Sequence, residues 1–139
     1  MRLTFRLTPQ SLNDVPLFCD QPSGCGYHWH VHLDVYVGNS SYVIVPADLG
    51  HVGGTLYALH THDSSGVIHI ETPSSQVYTC GQLCEVWGYP TCSATSCLTY
   101  HNQQVRAYVD GTLWSGDPFS VPLRDHYQIT IVIGSPGSC

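Results

Sequence analysis

The 139-residue sequence contains no lysine and only four arginines, against ten acidic residues, and carries a net charge of −6 with histidine neutral. Binding a nucleic-acid backbone requires a basic stripe, so the composition argues against nucleic acid as a partner. An anionic membrane surface is disfavoured on the same ground. No run reaches the roughly 18 apolar residues of a membrane span, and no amino-terminal stretch has the charged, apolar and small-residue zones of a signal peptide. The chain therefore reads as a mature or trimmed form. There is no G-x-S-x-G elbow for a serine hydrolase. Gly50 to Gly54 is too short and badly placed to be a phosphate-cradling loop, and no dinucleotide fingerprint occurs.

Cysteine and histidine are abundant instead. The seven cysteines include the local pairs Cys19/Cys25, Cys80/Cys84 and Cys92/Cys97. Such clustering in a short chain points to disulfides and an oxidising compartment: secreted, extracellular, or periplasmic and cell-surface. Cys139 is the odd one over, a candidate free or intermolecular thiol. A Cys-rich zinc ribbon is the competing reading, but Cys80 and Cys84 are four apart whereas Cys92 and Cys97 are five apart. The Asn39-Ser40-Ser41 sequon agrees with export and carries little weight alone.

Length and a 42% apolar content suit one domain with one core over residues 1–139. Residues 1–26, with Leu3, Phe5 and Leu7 followed by Pro9, Pro16 and Pro22, read as a strand and an irregular arm. Residues 27–134 read as a His-rich β domain and 135–139 as a tail. Within the domain, Tyr27 to Val35 alternates with period two, and Gly38-Asn39-Ser40 turns it back into Tyr42 to Val45. Leu56 to His62 and Val67 to Glu71 flank a turn at Asp63 to Gly66. Thr79 is placed as the N-cap of a short helix, Cys80 to Trp87, closed by Gly88. Strands follow at Val105 to Val109, Thr112 to Trp114 and Gln128 to Ile133.

The fold class is mainly β (α+β). From residue 67 onward the element order resembles a β-grasp sheet with one short helix, to which the 27–45 hairpin is added at the amino-terminal side. A β-sandwich or barrel is the alternative. The closing Gly134 to Cys139 lacks the reactive diglycine of sulfur carriers, so that function does not carry over.

The nine histidines bear the most specific pattern. In a strand, His28, His30 and His32 share one face, as do His60 and His62. If Asp63 to Gly66 is a four-residue loop, His62 pairs with Val67 and His60 pairs with His69, with Cβ atoms about 4.5–5.5 Å apart. Imidazole nitrogen suits zinc and copper, whereas calcium and magnesium prefer oxygen. The candidate ligands of a single copper or zinc ion are His28, His30, His32, His60, His62 and His69, with Asp63 and Glu71 as a carboxylate ligand or as ring orienters. The bland alternative is a solvated sheet face, or histidines bonded to Asp34 and Glu71. His51, His101 and His126 stand apart and read as surface or structural residues. Trp29, Trp87 and Trp114 with nine tyrosines fill the core or form a contact surface.

The stretches Tyr27 to Leu33 (Tyr-His-Trp-His-Val-His-Leu) and Leu59 to Glu71, together with Gly81-Gln82 and Val86-Trp87-Gly88, resemble the motifs of a family of small His-rich exported domains of bacteria and archaea. The resemblance spans residues 25 to 134 and implies export but no particular activity. Cys80 and Cys84 depart from it, standing where the family's positions look apolar. Three function classes follow: an exported module that binds copper or zinc; a metalloenzyme with an open three-histidine site, His30, His32 and His60 ligating and Glu71 as base or orienter; and a structural subunit of an extracellular filament or surface assembly. The last would self-assemble, stabilised by disulfides and metal.

Overall fold

The computed structural model describes residues 26–38, 41–52, 55–73, 75–88, 99–100 and 103–134. Expectations for residues 1–25, for Cys19, Cys25, Cys92, Cys97 and Cys139, for the sequon and for His101 lie outside the described residues. The elements in chain order are β1 (Tyr27–Val37), β2 (Ser41–Val43), β3 (His51–Val52), β4 (Thr55–Leu56), β5 (Leu59–His60), β6 (Val67–Thr72), α1 (Cys80–Trp87), β7 (Thr99–Tyr100), β8 (Gln103–Val109), β9 (Thr112–Leu113) and β10 (Gln128–Ile133).

The main sheet is open and mixed, ordered β5-β6-β1-β10-β8-β7, with β2 also pairing β1 and β9 pairing β8. Its centre is the parallel pair of β1 and β10, in register from His32/Gln128 to Val37/Ile133. β6 lies antiparallel to β1 on the other side. Among the described residues the chain is mainly β with one short α-helix, as its patterning suggested, and the first and last of the described strands lie side by side as in a grasp-like sheet. One boundary differs. The 27–45 hairpin forms, with Val35 opposite Val43, but its first strand is the middle of the sheet and not an appendage.

Period-two alternation decides which face is which. Val31, Leu33 and Val35 of β1, Ile68 and Ile70 of β6, Leu59 of β5, Val105 and Ala107 of β8, and Ile129, Ile131 and Ile133 of β10 are buried in one core with Leu83, Phe119, Val121 and Leu123. Alternate positions, His28, His30, His32, Asp34, Val67, His69, Glu71 and Gln128, therefore lie on the opposite face. A slip of one residue would bury the histidines and expose the isoleucines, so core burial fixes the register.

The helix begins as its sequence implies. The Thr79 hydroxyl accepts from the Gln82 N–H, the Gln82 side chain accepts from the Thr79 N–H, and Gly88 closes the end with a left-handed backbone. Cys80 and Cys84 are buried and free, which corrects the expected local disulfide. Four residues apart on one helix, their Cβ atoms stand about 5–6 Å apart, beyond the roughly 3.5–4.5 Å a disulfide spans. They act as small apolar core residues, and burial pushes the Cys80 thiol up to about 12 and the Cys84 thiol upward as well.

Replacing Ile131, fully buried on the central pair, by alanine is expected to lower unfolding stability by about 2–5 kcal/mol. Denaturant unfolding of both proteins, compared at equal slope, measures this.

Candidate metal centre

Three adjacent strands build the site. His30 of β1 lies opposite His69 of β6, and His69 lies opposite His60 of β5. The three residues thus form one row across the sheet. The His60/His69 pairing is the one the turn suggested, but the ladder stops there: residues 61–66 all belong to the connection, and Val67 pairs with His32 of β1. Thr61 explains the early stop. Its N–H donates to the Leu49 carbonyl, its hydroxyl donates to the Pro46 carbonyl, and its own carbonyl accepts from His51 Nε2 at 2.9 Å. With its backbone committed to the 46–51 loop, Thr61 cannot continue the strand. His62 is thereby placed in the connection, exposed, with its ring centroid 4.8 Å from His60 and 4.6 Å from His69.

Two groups of three histidines result. His28, His30 and His69 present one nitrogen each within 4.8 Å of one another, and His60, His62 and His69 do likewise. These groups could hold a metal ion. In the first, His30 Nε2 lies 3.1 Å from His28 Nε2 and 3.0 Å from His69 Nδ1. A nitrogen with one in-plane site can donate a proton to one neighbour or accept from one, so protons alone satisfy one of these two contacts. Two bonds of about 2.0–2.1 Å from a common ion separate their nitrogens by about 2.9–3.4 Å, for angles between square and tetrahedral. The observed separations fall in that range.

Second contacts orient the rings. His60 is wholly buried, and its Nδ1–H donates to the Tyr57 carbonyl at 2.7 Å, which turns Nε2 towards the Glu71 carboxylate. There Nε2 lies 2.7 Å from Oε2. The other Glu71 oxygen lies 3.5 Å from His28 Nδ1. Glu71 therefore stands behind the His28 ring, in the manner of a carboxylate behind a ligating histidine, whereas in the second group it stands beside His60 Nε2 itself.

His32 is not brought to either group. The Gln128 amide donates to Asp34 Oδ2 at 3.0 Å, which points Gln128 Oε1 at His32 Nδ1, 2.7 Å away. His32 Nε2 faces the Ser65 carbonyl at 2.8 Å. Both ring nitrogens thus face protein oxygens, so His32 ties β10 and the 61–66 connection to β1 and stands outside both groups. Asp63 works locally too: its Oδ1 accepts from both the N–H and the hydroxyl of Ser65, which holds its carboxyl below the usual range.

His51, which its sequence context marks as solitary, stands 5.9 Å from the His62 ring and 6.4 Å from His60. Gly50 brings it there. With φ at +74°, this glycine passes so close to β5 that a Cβ would lie 2.3 Å from the Leu59 carbonyl oxygen. The positive-φ glycine was the available signal, but only the loop's docking on β5 gives it meaning. His126 is exposed, and its backbone N–H donates to the His30 carbonyl at 2.8 Å. It lines a cleft of about 230 Å³ with His30, His32, Val67, Tyr127 and Gln128.

Comparison of the chain with family models, with curated proteins and with solved structures found no match. The chemistry is therefore read from the rings themselves.

Burial, with crowding, disfavours protonation of these rings. Burial, then the neighbouring His30, His62 and His60, brings His69 from the usual 6.5 down to about 4. Burial also lowers His60, and burial with His28 lowers His30. Neutral imidazole is the form that ligates. Between about pH 6.5 and 4 the unfolded chain binds protons that the folded chain resists, so metal-free stability is expected to be full above 6.5 and to fall as the pH drops towards 4. Thermal unfolding across that window checks the sign. Stabilisation by added metal should fade over the same interval, since protons and metal compete for the same nitrogens.

Proposed function

We propose that this chain is an exported domain that binds a transition-metal ion, copper or zinc, through His28, His30 and His69. The observation that carries this reading is the His30 Nε2 atom, held 3.0 and 3.1 Å from two other ring nitrogens. An all-nitrogen donor set favours copper and zinc over calcium or magnesium. The export part of this reading rests on the Cys19/Cys25 and Cys92/Cys97 clusters of the sequence and on the resemblance to His-rich exported domains, with Cys80 and Cys84 set aside as free thiols. As a carrier, buffer or sensor, the domain would take up the ion at a surface whose rings are already oriented by Glu71.

A catalytic role is the second reading, favoured by the cleft beside His30. Three nitrogens leave a fourth position on a tetrahedral ion, where bound water would be acidified. The trio His30, His32 and His60 does not serve, because His32 is committed to Gln128 and Ser65.

Metal content of untagged protein by mass spectrometry, followed by titration of the metal-free chain, tests the binding reading. Joint replacement of His28 and His30 by alanine is expected to weaken binding by more than the roughly 10–100-fold typical of losing an outer partner. Glu71→Gln is expected to fall within that 10–100-fold range, since it keeps the donor nitrogens and loses the charge behind them. Unchanged affinity in the double variant would refute the assignment.

A further inference from the structure

We infer that the two three-histidine groups form a single two-ion centre in which the His69 ring is the bridge. The inference rests on the metal-binding reading above and extends it to a second ion and its ligands.

His69 is the member common to both groups. An imidazole carries two ring nitrogens on different edges, and one of them, Nδ1, is the atom 3.0 Å from His30 Nε2. Nε2 is then the nitrogen left for His60 and His62. The surrounding rings are disposed on both sides of it. His30 meets His69 edge-on with centroids 4.6 Å apart, and His62 meets it at 69° and 4.6 Å. His60 lies parallel to it, 3° between planes and 5.6 Å between centroids.

The ligand nitrogen of His60 is assigned by elimination: the Tyr57 carbonyl holds the Nδ1 proton, so Nε2 is the nitrogen left for an ion, with Glu71 Oε2 beside it as a further oxygen donor. Glu71 links the halves through a separate route, with Oε1 3.5 Å from His28 Nδ1 and Oε2 2.7 Å from His60 Nε2. The bridge and the carboxylate thus each address both groups. His51 borders the second group, with its Nε2 proton engaged by the Thr61 carbonyl.

Filling both positions replaces one proton. Neutral His69 carries a single ring N–H; as the second metal–nitrogen bond forms, that proton passes to solvent buffer and the ring becomes an imidazolate. Neither ion changes oxidation state. With bonds of about 2.0–2.1 Å at each end of the ring, the ions would lie roughly 6 Å apart, close enough for two copper(II) ions to couple magnetically through the ring.

The test uses the full chain, stripped of metal and titrated with copper(II) at pH 7.5. Equilibrium dialysis gives stoichiometry, and electron paramagnetic resonance gives coupling. Two ions per chain are expected, with the integrated signal growing over the first equivalent and falling below one spin per chain over the second. His62 and His28 are exposed, so His62→Ala and His28→Ala should keep the fold, verified by circular dichroism. Each should bind one tight ion with an uncoupled signal. His69→Gln should abolish coupling. One ion per chain in the parent protein, with affinity unaltered by His62→Ala, would overturn the two-ion centre and leave the His28/His30/His69 reading standing. Two ions of full, uncoupled intensity would overturn the bridge. No bound copper at all would sink the bridge and the underlying reading together.

Discussion

The register between β1 and β6 is the constraint on which everything else rests. It is set on one face by Val31, Leu33, Ile68 and Ile70, and its effect is felt on the other, where His30 comes abreast of His69 and His28 abreast of Glu71. The polar row has no independent means of choosing that alignment. Burial of aliphatic side chains, each contributing about 1.5–3 kcal/mol, far outweighs what a contact between neutral imidazoles can supply. The site is thus assembled as the reverse side of the core, by residues that never touch it.

Much of this was legible in the chain. The alternation of His28, His30 and His32 with Trp29, Val31 and Leu33 marks a strand with one polar face, and the turn residues from Asp63 to Gly66 imply that His60 meets His69. Thr79 ahead of Cys80 to Trp87, with Gly88 after it, announces the helix. What escaped depends on contacts distant in sequence. Nothing local shows that β1 is the central strand, since a parallel neighbour almost a hundred residues later leaves no short-range signature. Nor does the period-two pattern reveal that His32, which shares a face with His28 and His30, is claimed by Gln128 and Ser65. One ion site was the natural expectation from strand spacing; two groups hinged on His69 emerge because Thr61 is held by the 46–51 loop and places His62 outside the ladder.

The grouping of the rings also explains their protonation. Partial burial, with imidazoles packed edge to edge, disfavours the charged form, and His69 is brought down to about 4 by burial first and then by neighbours on both flanks. An arrangement costly for protons is thereby prepared for a cation that several rings can share. Glu71 balances this by offering charge to both sides without neutralising any single ring.

The donors that meet at His69 belong to strands separated by an excursion of chain, and His30 and His69 are 39 positions apart. An ion gripped between them would close that excursion as a covalent staple does, narrowing the freedom of the unfolded chain. Unlike a cystine, such a clasp would need no oxidant to form and no reductant to open. Chelation or acid would release it, and the integrity of this sheet would then be answerable to metal supply.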